Sequence, residues 1–113
     1  NSVCYTGTHD NMTLRQWLET APKETAQYAA AYMNLQPDEG LAWGVIRTAY
    51  ASVAELCVVQ MQDYLDLGGD ARMNFPGTAA GNWIWRMKPG SITAELANRI
   101  RSLAVIYGRS FSE

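Results

Sequence analysis

The stretch Tyr5-Thr6-Gly7-Thr8-His9-Asp10-Asn11 closes a short β-prone run, 2–6, and sets down the chain's only histidine with a carboxylate beside it. Val3, Tyr5 and Thr6 suit a pleated, half-buried strand, and Gly7 lets the backbone turn where a side chain would interfere. His9 and Asp10 therefore fall just past a strand's C-terminal end. In α/β proteins the rigid sheet aims the loops at that end, and chemistry is placed there. A second reading stands beside this one. A His-Asp pair carries little information, and on spacing alone it reads first as a loop capping pair, with Asp10 or Asn11 in the cap of a helix that begins almost at once.

Working outward, 113 residues with 48% hydrophobic and 18% charged content suffice for one small domain with a core. A net charge of -2, a pI of about 5.3 and no run of like charge argue against nucleic acid or an anionic membrane surface as a partner. The longest apolar run falls well short of a membrane span, and no signal-peptide pattern is visible. The chain starts at Asn1 and enters strand-like sequence within two residues, which predicts a piece cut from a larger protein. Cys4 and Cys57 fall in strand-like runs and read as small buried hydrophobes. Two cysteines without a framework favour a reducing compartment, here the cytoplasm, over a single disulfide. No Cys/His cluster has metal-ligand spacing and no glycine-rich phosphate loop occurs, so neither metal nor cofactor is expected.

Thr13-Leu14-Arg15-Gln16 has the form of a capping box, predicting a helix to about Thr20 with Leu14, Trp17 and Leu18 on one face. Pro22 suits the first turn of a second helix, 23–34, whose alanines predict tight packing. Asp38 and Glu39 place negative charge at the start of a third helix. Its stripe is Ala42, Val45, Ile46, Ala49, Tyr50 and Val53, and Gly44 within it is either a close-packing point or a weakness. Leu56-Cys57-Val58-Val59 is continuously apolar, the pattern of a strand buried on both faces. Some 50 helix-rich residues separate it from the first strand, as a parallel pair requires. A long stretch, 70–90, has little periodicity but holds two Trp, a Phe and two Arg, which suits a functional loop better than disorder. Plain packing is the competing reading for at least one of Trp83 and Trp85. Thr93 then caps a last helix to about Tyr107, with Gly108 behind it.

Three segments carry a resemblance: 5–11, Gln62-Asp63-Tyr64-Leu65-Asp66-Leu67-Gly68, and Ala71-Arg72-Met73-Asn74-Phe75-Pro76-Gly77-Thr78-Ala79-Ala80-Gly81-Asn82-Trp83 with its continuation to Arg86. In this order they resemble the C-terminal part of the 4-α-glucanotransferases (amylomaltases or disproportionating enzymes) of glycoside hydrolase family 77, over nearly the whole chain. Where the family usually has another Asp or a Thr after the His-Asp-Asn stretch, this chain has Met12.

The resemblance implies an α/β fold, the C-terminal portion of a TIM (β/α)8 barrel, with 2–6 as the seventh strand and 56–59 as the eighth. It implies transfer of α-1,4-glucan segments between maltodextrins, with retention and through a covalent glycosyl-enzyme intermediate. Two carboxyl groups about 5 Å apart serve that chemistry, and in the family they come from earlier strands that this sequence does not contain. Asp10 would be the third carboxylate, stabilising the transition state. His9 would hydrogen-bond the same sugar, and Asn74 would be a further sugar contact.

Residues 1–113 thus read as a single C-terminal fragment, inactive alone and more helical than stranded. Its exposed strand edges would drive it to associate with itself or repack. The alternative is a non-catalytic maltodextrin-binding module, in which Tyr64, Phe75, Trp83 and Trp85 stack on sugar rings.

Overall fold

The computed structural model describes residues 2–7, 12–73 and 85–109. In chain order the elements are β1 (Val3–Tyr5), α1 (Leu14–Thr20), α2 (Lys23–Met33), α3 (Leu41–Tyr50), β2 (Leu56–Val58), α4 (Met61–Tyr64), a 3-10 turn (Gly69–Ala71) and α5 (Ala94–Ile106). Helix outweighs strand among the described residues, as expected. β1 and β2 pair in parallel, with Val3 opposite Leu56, Cys4 opposite Cys57 and Tyr5 opposite Val58. Three helices supply the long connection that such a pair needs.

α3 is the centre of the fold. Its residues Ala42, Trp43, Ile46 and Tyr50 form the buried core with Leu14 of α1, and Leu96, Ile100 and Leu103 of α5 pack against that cluster. Gly44 proves to be a close-packing point: a Cβ there would stand 2.6 Å from Leu35 Cδ2. The caps fall where predicted. The Thr13 hydroxyl accepts from the Gln16 N–H at 3.2 Å, and the Thr93 hydroxyl accepts from the Leu96 N–H at 3.0 Å. Gly108, at φ +70°, takes the left-handed position behind α5.

Within this chain only one face of β2 is covered: Leu56 is 55% and Val58 37% exposed, while Cys57 faces the helices. Several expectations are overturned. α2 has no buried residue, and Tyr28 and Tyr32 stack on each other on its outer surface, 71% and 76% exposed. Its alanines thus sit on a peripheral helix, not a tightly packed one. Val53 lies beyond the end of α3 and is fully exposed. Asp38 and Glu39 precede α3 and place no acid in its first turn. Glu39 instead accepts from Arg47, at 3.0 Å, and the Arg47 guanidinium also donates to the carbonyls of Met33 and Asn34 that end α2. Cys4 and Cys57 are free thiols, half-buried and adjacent in register.

Candidate functional site

Three residues were predicted to touch the sugar, His9, Asp10 and Asn74, and all lie outside the described residues, as do Phe75 and Trp83. What the structure does place is the frame from which those segments depart. A cavity of about 540 Å³ is lined by Tyr5, Thr6 and Gly7 at the end of β1, by Met12, Leu14 and Trp17 at the start of α1, and by Arg72. Gly7 and Met12 are the residues on either side of 8–11, and Arg72 stands one residue before Met73, the last before 74–84. The fold therefore gathers the flanks of both predicted site segments around one hollow, although Thr6 and Arg72 are more than sixty positions apart in the chain.

The frame is held by a residue that the sequence reading did not single out. Asp63, on α4, is 1% exposed. Its Oδ1 accepts from the Leu14 backbone N–H at 2.8 Å, and its Oδ2 accepts from the Thr6 hydroxyl at 2.9 Å and from the Gln60 amide at 3.4 Å. Burial pushes the Asp63 carboxyl above the usual carboxylate range, and the donors from Leu14, Thr6 and Gln60 counter that rise in part. The Thr6 N–H also donates to the Val58 carbonyl at 3.1 Å, so the chain leaving β1 remains locked to β2. Leu14 is the first residue of α1, where the backbone N–H has no partner within the helix. An acid some fifty positions away satisfies it, and such a pairing leaves no local trace in sequence.

Of the aromatic residues considered for sugar stacking, Tyr64 is committed to the core. Its hydroxyl hydrogen-bonds that of Tyr50 at 2.5 Å, its ring lies 5.6 Å from that of Trp43, and its carbonyl accepts from Trp43 Nε1 at 3.2 Å. Burial and the Tyr50 contact push its hydroxyl pKa up, so it stays neutral. Trp85 differs. It lines both a cavity of about 400 Å³, with Leu65, Asp70 and Arg86 among its walls, and an open hollow bounded by Gln62, Met73 and Met87. Among the described residues no cluster of His, Cys, Asp and Glu could hold a metal ion, and no helix is long and apolar enough to cross a membrane.

With this geometry in hand, similarity to known proteins is specific. The family model for 4-alpha-glucanotransferase matches residues 1–93. A 4-alpha-glucanotransferase of Clostridium butyricum is 52% identical over 110 residues, covering 96% of this chain and 23% of the relative. A chloroplastic/amyloplastic 4-alpha-glucanotransferase of Arabidopsis thaliana is 40% identical over 112 residues, covering 96% of this chain and 19% of the relative. Among solved structures, an amylomaltase from Streptococcus agalactiae in complex with acarbose superposes with a TM-score of 0.92 at 39% identity, over 96% of this chain and 22% of that one. The chain thus spans about a fifth of the length of the relatives it matches.

Proposed function

The chain belongs to the 4-alpha-glucanotransferase family, and on that premise we propose that the full-length protein transfers α-1,4-glucan segments between maltodextrins. The observation that carries this reading is the convergence of Gly7, Met12 and Arg72 on one cavity, which brings the flanks of both site segments together. The reaction proceeds with retention through a covalent glycosyl-enzyme intermediate, and the nucleophile and acid/base, about 5 Å apart, come from parts of the protein outside this chain. Asp10 holds hydroxyls of the donor-site sugar and favours its distortion toward the oxocarbenium-like state. His9 hydrogen-bonds the same ring, and Asn74 contacts sugar from the other segment.

β1 and β2 are read as the last two strands of a (β/α)8 barrel. They are parallel neighbours joined by a helical connection. Val3, Tyr5, Leu56 and Val58 are exposed on their open face, as residues awaiting the rest of a barrel interior would be. The same exposure makes self-association of the isolated chain, which is itself inactive, the expected behaviour. The two free thiols suit a reducing compartment, and we place the protein in the cytoplasm; the name of the Arabidopsis relative puts that protein in a plastid.

Asp10→Asn in the full-length protein tests the assignment. Maltotriose disproportionation should nearly vanish while the melting temperature stays within a degree or two. Wild-type turnover in that variant would remove Asp10 from the site. Maltooligosaccharide binding by the isolated chain, lost in Trp85→Ala, would favour the binding-module reading instead.

A further inference from the structure

One buried carboxylate joins the two ends of the segment that carries His9 and Asp10. Thr6 lies two residues before position 8, and Leu14 three residues after position 11. Asp63 accepts from both, through different oxygens, at 2.9 and 2.8 Å. We infer that Asp63 is a positioning residue for glucan transfer, fixing the separation of Thr6 and Leu14 and thereby the place from which Asp10 is presented. This rests on the role proposed for Asp10.

Three features argue for a clamp over simple filling of space. Burying a carboxylate is costly, and an apolar side chain of similar volume would pack with less penalty. The two oxygens divide between the strand end and the helix start, so the group bridges two elements instead of capping one. Finally, each partner is held independently. Thr6 is tied to β2 through its backbone, at 3.1 Å to the Val58 carbonyl, and Leu14 is 8% exposed in the core beside Trp43 and Ile46. Asp63 thus ties the end of β1 to the start of α1, and Thr6 and Leu14, the two residues it holds, both line the cavity. A displacement of about 1 Å in a group that contacts the reacting sugar costs on the order of a hundredfold in rate.

The test uses the full-length protein and maltotriose as substrate, with kcat and KM measured per folded molecule beside the melting temperature. Asp63→Ala is expected to lower kcat about a hundredfold with KM changed less than threefold. Thr6→Val, which removes one arm of the clamp, is expected to lower kcat about tenfold, and Thr6→Ser, which keeps the hydroxyl, should restore it to within twofold of wild type. If Asp63→Ala does not fold, the Thr6 pair decides alone. Variants that melt earlier but turn over at the wild-type rate per folded molecule would overturn the inference and leave Asp63 a stability residue. Asp10→Asn assayed alongside separates the two failures. An inactive Asp10→Asn with fully active Asp63 and Thr6 variants sinks the clamp alone, whereas a fully active Asp10→Asn sinks the reading beneath it.

Discussion

Gly44→Ala sets two effects of opposite sign against each other within α3. Helix propensity favours alanine over glycine in a helix interior by about 1 kcal/mol. Against that gain, the added Cβ would stand 2.6 Å from Leu35 Cδ2 and 3.4 Å from a Glu39 carboxylate oxygen. Carbon atoms pack at about 3.5–4.0 Å, so the Leu35 methyl must retreat by about 1 Å. Leu35 has little room: it is 8% exposed, and its N–H is held to the Ala30 carbonyl at 2.9 Å. Overpacking a filled site costs about 1–3 kcal/mol, so the substitution should end as a net loss of about 1 kcal/mol. Native-state hydrogen exchange of the α3 amides in the full-length protein, read beside thermal unfolding, measures this locally. Leu35→Ala should cost about 2 kcal/mol or more alone. Combined with Gly44→Ala it should cost about 2 kcal/mol less than the sum of the two singles, because the overpacking penalty goes with the clash partner while the helix-propensity gain stays. A Gly44→Ala protein stabilised by about 1 kcal/mol, or a strictly additive pair, would refute the close-packing argument.

Other perturbations probe the frame. The Arg109 guanidinium donates to the carbonyls of Tyr50, Ser52 and Ala54 at 2.8–3.0 Å, closing the end of α3 and the turn into β2. Arg109→Lys should therefore speed exchange of the amides in 51–55 and lower stability by about 1–3 kcal/mol, since one ammonium cannot reproduce the fork. Burial, with Cys4 beside it, raises the Cys57 thiol pKa against the opposing pull of Arg109, so alkylation of Cys57 by iodoacetamide at pH 8 should be slower than that of a free cysteine. The folded-state pKa of Asp63 is raised by burial, with the nearby Asp66 charge adding to it. Its contribution to stability is then fully present below the unfolded value of about 4 and is lost as pH rises through the folded value. Wild type should gain melting temperature relative to Asp63→Asn as pH falls from 7 toward 4, and a gap that does not move would contradict the direction of the shift.

Where sequence and structure agree, the determinants are local. Thr13 and Thr93 sit three residues before backbone N–H groups that their hydroxyls reach, and Ala42, Ile46, Ala49 and Tyr50 recur at a fixed period, so the caps and these buried positions are legible from spacing, while Trp43 falls outside the stripe and Val53 beyond the helix. The parallel pairing was legible from the length and helical character of its connection. Where they diverge, the missing information is non-local. Nothing about Leu56-Cys57-Val58 says how many partners cover its faces. The alanines of α2 likewise do not reveal that the helix lies at the periphery. Glu39 sits close enough to a helix start to suggest a dipole role, but Arg47, eight positions on, claims its carboxylate. Asp63 is the sharpest case. In sequence it reads as a polar residue following a strand, and only the fold brings Thr6 and Leu14 to it. The resemblance implies sugar-contacting roles for His9, Asp10 and Asn74, and it assigns none to Asp63.

Whether Asp10 grips the glucosyl ring is tested most directly by a crystal structure of the full-length protein with a maltooligosaccharide bound. An Asp10 carboxylate oxygen within about 3 Å of a donor-site sugar hydroxyl is the expected result. Asp10 beyond the reach of one bridging water, or tied into a buried ion pair away from the cavity, would contradict it.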